Sequence, residues 1–189
     1  MALILYLAYL LEIAMPAEFE ENDSTEQRSA DTIMYRFMEP GEEVETMHLV
    51  ERVFNQFVAP EFVEEGVQEF FRFAHPAAMV ARANDGQVVV VAEEGGILLG
   101  MIEVRNGSHI ALLFVEQRGR GIARQLLLTA VKECLRRHPE LTRMTVNSSP
   151  YAETIYRKLG FESTGPRQTI NGITHQPMAL EFRDLVKGC

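Results

Sequence analysis

The feature that most limits what this chain can fold into is an Arg-Gly-Arg-Gly segment set between an apolar strand and an amphipathic helix. HIALLFV (109–115) reads as a strand. From Ile122 the period changes: Ile122, Leu126, Leu127, Ala130, Val131, Cys134 and Leu135 fall on one helical face. Arg136 and Arg137 sit in the last turn, where they suit the helix dipole, and Pro139 follows. A strand that enters a helix through glycines leaves the first-turn N–H groups unpaired, and with the positive end of the dipole these form an anion site. Gly119 and Gly121 permit positive φ and close backbone approach, while Arg118 and Arg120 add charge-assisted donors.

Three phosphate-binding patterns compete for this segment. A P-loop needs Lys-Ser/Thr after its second glycine, but Ile122-Ala123 follow Gly121. A dinucleotide fingerprint needs glycine three places after Gly121, and Arg124 stands there. The third pattern, Arg-x-x-Gly-x-Ala, is met by Arg118, Gly121 and Ala123. A plain strand-to-helix turn with no ligand has the same look.

The rest of the chain reads as one α/β domain. IMYRFME (33–39) is a short strand stopped by Pro40-Gly41. Val44, Met47, Leu49, Val50, Val53, Phe54 and Phe57 mark a first helix, broken at Pro60. Phe62, Val63, Val67, Phe70, Phe71 and Phe73 mark a second, ended by His75-Pro76. VVVVA (88–92), ILLGMIEVR (97–105) and HIALLFV are three antiparallel strands joined at Gly95-Gly96 and Asn106-Gly107. LTRMTVN (141–147) is a further strand, Ser149-Pro150 opens a short helix ended by Gly160, and 161–163 and 174–182 are the last strands.

The termini differ in kind. Residues 1–15 are apolar except for Glu12, too short to span a bilayer comfortably and without the basic start or cleavage site of a signal peptide. They read as a dispensable helix or as a partner- or membrane-surface helix. Residues 18–31 are an acidic linker. The expected division is therefore 1–31 outside the catalytic unit, a domain over 32–184 and a tail over 185–189. The net charge of −9 argues against nucleic acid as a partner. Two cysteines, Cys134 and Cys189, make no disulfide framework, which fits a cytoplasmic protein with no transmembrane span.

VNSSPYAETIYRKLGF (146–161) links these observations. Asn147, Ala152, Tyr156 and Gly160-Phe161, following Arg118-x-x-Gly121-x-Ala123, resemble the paired signatures of the GCN5-related N-acetyltransferases (GNAT) over roughly residues 32–182. The resemblance implies a mixed sheet of six or seven mostly antiparallel strands with about four helices. In it the strands at 109–116 and 142–147 splay into a V. It implies acetyl-coenzyme A as co-substrate and no metal. Pantetheine would lie along Leu113, Phe114 and Val115. The pyrophosphate would sit on Arg118, Gly119, Arg120, Gly121, Ile122 and Ala123, with Asn147, Ala152 and Tyr156 completing the site. The acceptor would be a primary amine, on a small molecule or a peptide, and a homodimer is possible within the family. A non-catalytic coenzyme A-binding sensor of the same fold is the rival reading.

Acyl transfer needs a neutral amine, stabilisation of a developing oxyanion and a proton for the departing thiolate. By resemblance Tyr156 supplies that proton; at i, i+3, i+4 and i+7 with Ala152, Ile155 and Leu159 it is also placed to be a core residue. For the base, His109, Glu103, Glu116 and a water chain stay open. Eight carboxylates at 42, 43, 45, 51, 61, 64, 65 and 69 face one basic residue, Arg52, so the helices are either an acidic wall for a cationic acceptor or ordinary solvated surface. A polypeptide starting at Asp31 is expected to fold and bind acetyl-coenzyme A. Circular dichroism and calorimetry check this, and insolubility or lost binding would place the apolar segment inside the working unit.

Overall fold

The computed structural model describes residues 32–182. The apolar segment, the acidic linker and the tail lie outside the described residues. Eight strands make the sheet: β1 (Met34–Phe37), β2 (Val88–Glu94), β3 (Ile97–Arg105), β4 (His109–Val115), β5 (Arg143–Ser148), β6 (Glu162–Ser163), β7 (Gln168–Ile170) and β8 (Ile173–Glu181). Their order is β1-β2-β3-β4-β5-β8-β6, with β7 hairpinned onto β8. Every pairing is antiparallel except β4 with β5. The helices are α1 (Glu43–Phe57), α2 (Glu64–Phe73), α3 (Pro76–Asn84), α4 (Ile122–Arg137) and α5 (Glu153–Lys158), with a 3₁₀ turn at Ala59–Glu61.

Strand alternation sorts the core into two faces. One face of the sheet (Val90, Ile102, Val104, Ile110, Met144, Val146, Met178) is buried against Leu126, Leu127, Ala130 and Cys134 of α4. The other (Val89, Val91, Met101, Leu112) packs on Met47, Val50 and Val53 of α1 and Met79 of α3. Cys134 is fully buried, and burial pushes its thiol up to about 11, so it behaves as a small apolar core residue.

The sheet has one strand more than the upper expectation, β7, and the chain one helix more, α3. Pro76 had read as a terminator. Instead it occupies the first turn of a new helix, where proline fits, and His75 Nδ1 caps it by accepting from the Ala77 N–H at 3.2 Å.

The feature that shapes the middle of the sheet is a register break between β3 and β4. Glu103 faces Leu112, but the next residue, Val104, faces Ile110, so Ala111 bulges without a partner. β4 and β5 pair only at His109 with Thr145 and Ile110 with Val146, reinforced by a Thr145 N–H to Ser108 carbonyl bond of 2.8 Å. Past the bulge they part.

α3 is fastened by a buried ion pair. Glu103 is fully buried; Arg82 reaches it through Nε and Nη2 at 2.6 and 3.0 Å. Arg82 also donates to the Phe73 carbonyl at 2.8 Å and lies over the Phe73 ring at 4.0 Å. One guanidinium thus ties α3 and the end of α2 to β3. Arg82→Met is expected to strand the Glu103 carboxylate and cost about 3–5 kcal/mol, read as a lower urea midpoint. An unchanged midpoint would show that the pair is dispensable.

Candidate active site

Where β4 and β5 separate, a cavity of about 860 Å³ opens, walled by α1, α2, the start of α4 and the loop into α5. Strand alternation orients its floor. The Glu116 N–H bonds the Leu99 carbonyl at 2.9 Å, so the even residues before it, Phe114 and Leu112, also address β3. The N–H and C=O groups of Leu113 and Val115 therefore point away from β3, along the edge that β5 has left. An extended polar chain can add to such an edge as a strand does.

At one end of this edge stands the N-terminus of α4. Gly121 is its N-cap with φ +73, Gly119 has φ +79, and a Cβ on either would meet nothing within 4 Å. No side chain caps the helix, so its first-turn N–H groups face a backbone cradle open to an anion. Ile122 and Ala123 continue the lining. Arg118 also lines the cavity. Its guanidinium lies over the Phe57 ring at 4.1 Å and donates to the Tyr151 hydroxyl. Arg120 is placed elsewhere: both of its terminal nitrogens bond Glu94, at 2.8 and 2.6 Å, at the turn into β3. The alternating Arg-Gly pattern offered two equivalent arginines, but Gly119 between them turns at φ +79, and the two side chains reach different partners. Arg124 and Lys158, neither of which had been singled out, line the cavity without a carboxylate partner.

Across the cavity is Tyr156 on α5, 5% exposed, with its ring edge-on to Phe161 at 5.3 Å. Burial holds its phenol well above the ordinary tyrosine value. Tyr156 packs in the core and also lines the cavity. Asn147 and Ala152 line the same wall.

Of the three side-chain candidates for a base, only His109 faces the cavity. Its Nδ1 is 2.9 Å from the Thr145 hydroxyl. Burial, with Arg105 and His175 nearby, pulls it down to about 4, so the ring is neutral near pH 7. Glu103 is spent on Arg82, and Glu116 is paired with Arg52 at 2.6 Å. His175, buried on β8 and lining the cavity, escaped sequence reading because the alternation of β8 does not mark which face meets a cleft.

The acetyltransferase (GNAT) domain family matches residues 58–182, more than half of the chain. The chain belongs to the GNAT acetyltransferase family. No curated protein sequence matches it. Among solved structures it is similar to a GCN5-related N-acetyltransferase from Rhodopseudomonas palustris, with a TM-score of 0.67 and 23% identity, covering 80% of this chain and 97% of that one. It is also similar to PaiA N-acetyltransferase from Thermoplasma acidophilum in complex with coenzyme A (TM-score 0.64, 15% identity, 79% and 99% covered). YncA from Salmonella typhimurium with acetyl-CoA follows (0.57, 20%, 79% and 94%). The expected GNAT fold, and an acyltransferase that uses acetyl-coenzyme A, are borne out. Among the described residues no helix is long and apolar enough to cross a membrane.

The residues present fit coenzyme A: an open strand edge for pantetheine amides, and an uncapped helix start with spare cations for phosphates. Gly121→Glu, which places bulk and negative charge in the cradle, is expected to abolish coenzyme A binding measured by calorimetry, with the circular dichroism spectrum retained. Undiminished affinity in the folded variant would remove the loop from the site.

Proposed function

We propose that this GNAT enzyme moves an acetyl group directly from acetyl-coenzyme A to the primary amine of a small molecule or peptide, with Tyr156 as its proton donor. One observation carries the reading: the free edge of β4, the uncapped start of α4 and the buried Tyr156 all open onto one cavity. Bound acetyl-coenzyme A supplies a thioester: the amine nitrogen bonds the carbonyl carbon, and the C–S bond breaks with its electron pair going to sulfur.

The chain's own residues manage orientation and protons. Leu113 and Val115 offer backbone donors and acceptors along the edge, placed to hold the pantetheine arm and to face negative charge as it develops on oxygen. Tyr156 passes its proton to the sulfur, whose thiol has an ordinary pKa of ~8.5. The phenolate left behind then takes up the proton that the acylated nitrogen sheds, which restores the phenol. The products are an amide and a thiol, with no net gain or loss of protons from a neutral amine. Burial keeps Tyr156 protonated across the working pH range, which suits a donor and would not suit a base.

Among the described residues no unpaired carboxylate lines the cavity, since Glu69, the carboxylate there, is bonded to Arg72 at 2.6 Å. The amine therefore enters neutral, its proton lost to water, while neutral His109 serves as a hydrogen-bond partner. The acidic-wall idea draws little support, because the other seven carboxylates of residues 41–70 do not line the cavity.

Tyr156→Phe preserves the packing and removes the proton, so kcat should fall ~10²-fold with little change in acetyl-coenzyme A affinity. A wild-type rate, with acyl transfer shown to be rate-limiting, would return Tyr156 to the core. In a pH series, kcat/KM should climb with pH toward the acceptor amine's own pKa. A plateau set by an enzyme group, at the same pH for amines of different basicity, would instead reveal a base.

A further inference from the structure

The acceptor half of the cavity joins two surfaces of different chemistry. α1, α2 and the turn between them present Phe54, Phe57, Phe62, Phe70 and Phe73, and β4 adds Phe114. Phe54 and Phe70 stack at 3.7 Å, with Phe70 tilted against Phe114 at 5.8 Å. Together these rings give the cavity an apolar wall.

The sheet side is polar and bears a spare cation. Of the arginines among the described residues, only Arg105, Arg118 and Arg124 have no carboxylate partner, and all three line this cavity. Arg118 and Arg124 flank the α4 cradle and belong to the phosphate end. Arg105 stands apart from them, at the end of β3 opposite His109. The two share a face of the sheet, and β4 begins to leave β5 two residues after His109, so Arg105 sits beside the apex of the V. A half-buried guanidinium with no counter-ion, next to an apolar wall, is built to take a carboxylate in a bidentate pair. A polycation would meet a positive charge there and no free carboxylate.

Resting on the N-acetyltransferase reading above, we propose that the acceptor is an α-amino acid with an aromatic or branched apolar side chain, its carboxylate on Arg105 and its side chain against the phenyl wall. In such a molecule the amine lies two bonds from the carboxylate carbon. An anion held at the apex therefore leaves the amine close to the point where the strands part.

The test is thiol release from acetyl-coenzyme A with three acceptors: phenylalanine, phenethylamine (the same ring and amine without the carboxylate) and spermidine. Phenylalanine should exceed phenethylamine in kcat/KM by at least ~10-fold, the yield of one charge-assisted pair, and spermidine should be the poorest. Arg105→Gln should erase the difference between the first two, and Arg105→Lys should restore part of it. Calorimetry of phenylalanine binding to the coenzyme A-loaded enzyme should show the same order without turnover. Equal rates for the two aromatic amines, a preference that survives Arg105→Gln, or spermidine as the best acceptor would each overturn the proposal. Coenzyme A binding measured alone keeps the two readings apart. Binding without any phenylalanine preference sinks the acceptor class and leaves the acetyltransferase reading standing, whereas no binding sinks both.

Discussion

The site depends on one unpaired residue. A sheet whose strands all pair closes its edges and leaves no room between neighbours. At Ala111 the β3–β4 ladder gains a residue that β3 does not match, and a bulge bends its strand and increases the local twist. The bend comes one residue after the last β4–β5 pair, at Ile110 and Val146. β4 keeps its antiparallel bonds to β3 while β5 keeps its own to β8, so the divergence opens between two strands that are each held on the far side. The exposed edge is thereby rigid, and its backbone groups stay aimed without a partner of their own.

Charge follows the same division. Over most of the surface each arginine is matched: Arg36 with Glu42 and Glu93, Arg136 and Arg137 with Glu133, Arg143 with Glu181, Arg157 and Arg167 with Glu153. Exposed pairs of this kind contribute little stability each, about 0–1 kcal/mol. Their larger effect is to cancel local fields in a chain of net charge −9. The cavity is the exception. There the guanidinium groups of Arg105, Arg118 and Arg124 meet no carboxylate among the described residues, so a strongly acidic protein still presents a positive lining to anionic ligands. The overall charge was thus a poor guide to what the cleft would attract.

Much of the architecture was legible because it rests on local rules. The period change at Ile122, the turn glycines and the β-branched run at 88–91 each specify their element from a few residues. α3 was not, since Pro76 serves equally as a stop and as a first-turn residue, and only packing of Met79 and the Arg82–Glu103 pair decides between them. β7 has three exposed residues and exists through its pairing with β8, which no local signal announces. In the site, the glycines and Tyr156 were visible as types at set spacings. The separation of Arg118 from Arg120 was not, because it depends on where Glu94 stands. Nor was the aromatic wall, since Phe70 and Phe73 of α2 read as core although they also line the cavity.

Arg118 couples the two halves of the cleft. Phe57, at the end of α1, stacks on Tyr151 with ring centroids 5.3 Å apart and planes 10° from parallel. The Tyr151 N–H is held in turn by Glu61 at 2.8 Å. The guanidinium of Arg118 lies over both rings, at 4.1 and 5.4 Å. A stacked guanidinium engages its face, and one of its five donors goes to the Tyr151 hydroxyl, so its remaining edge stays available to a phosphate. The stack therefore fixes the position of Arg118 and leaves most of its donors unused. The same contact pins the end of α1 and the loop into α5 to the phosphate turn. The phenyl wall and the glycine cradle are, through this one side chain, parts of a single packed unit.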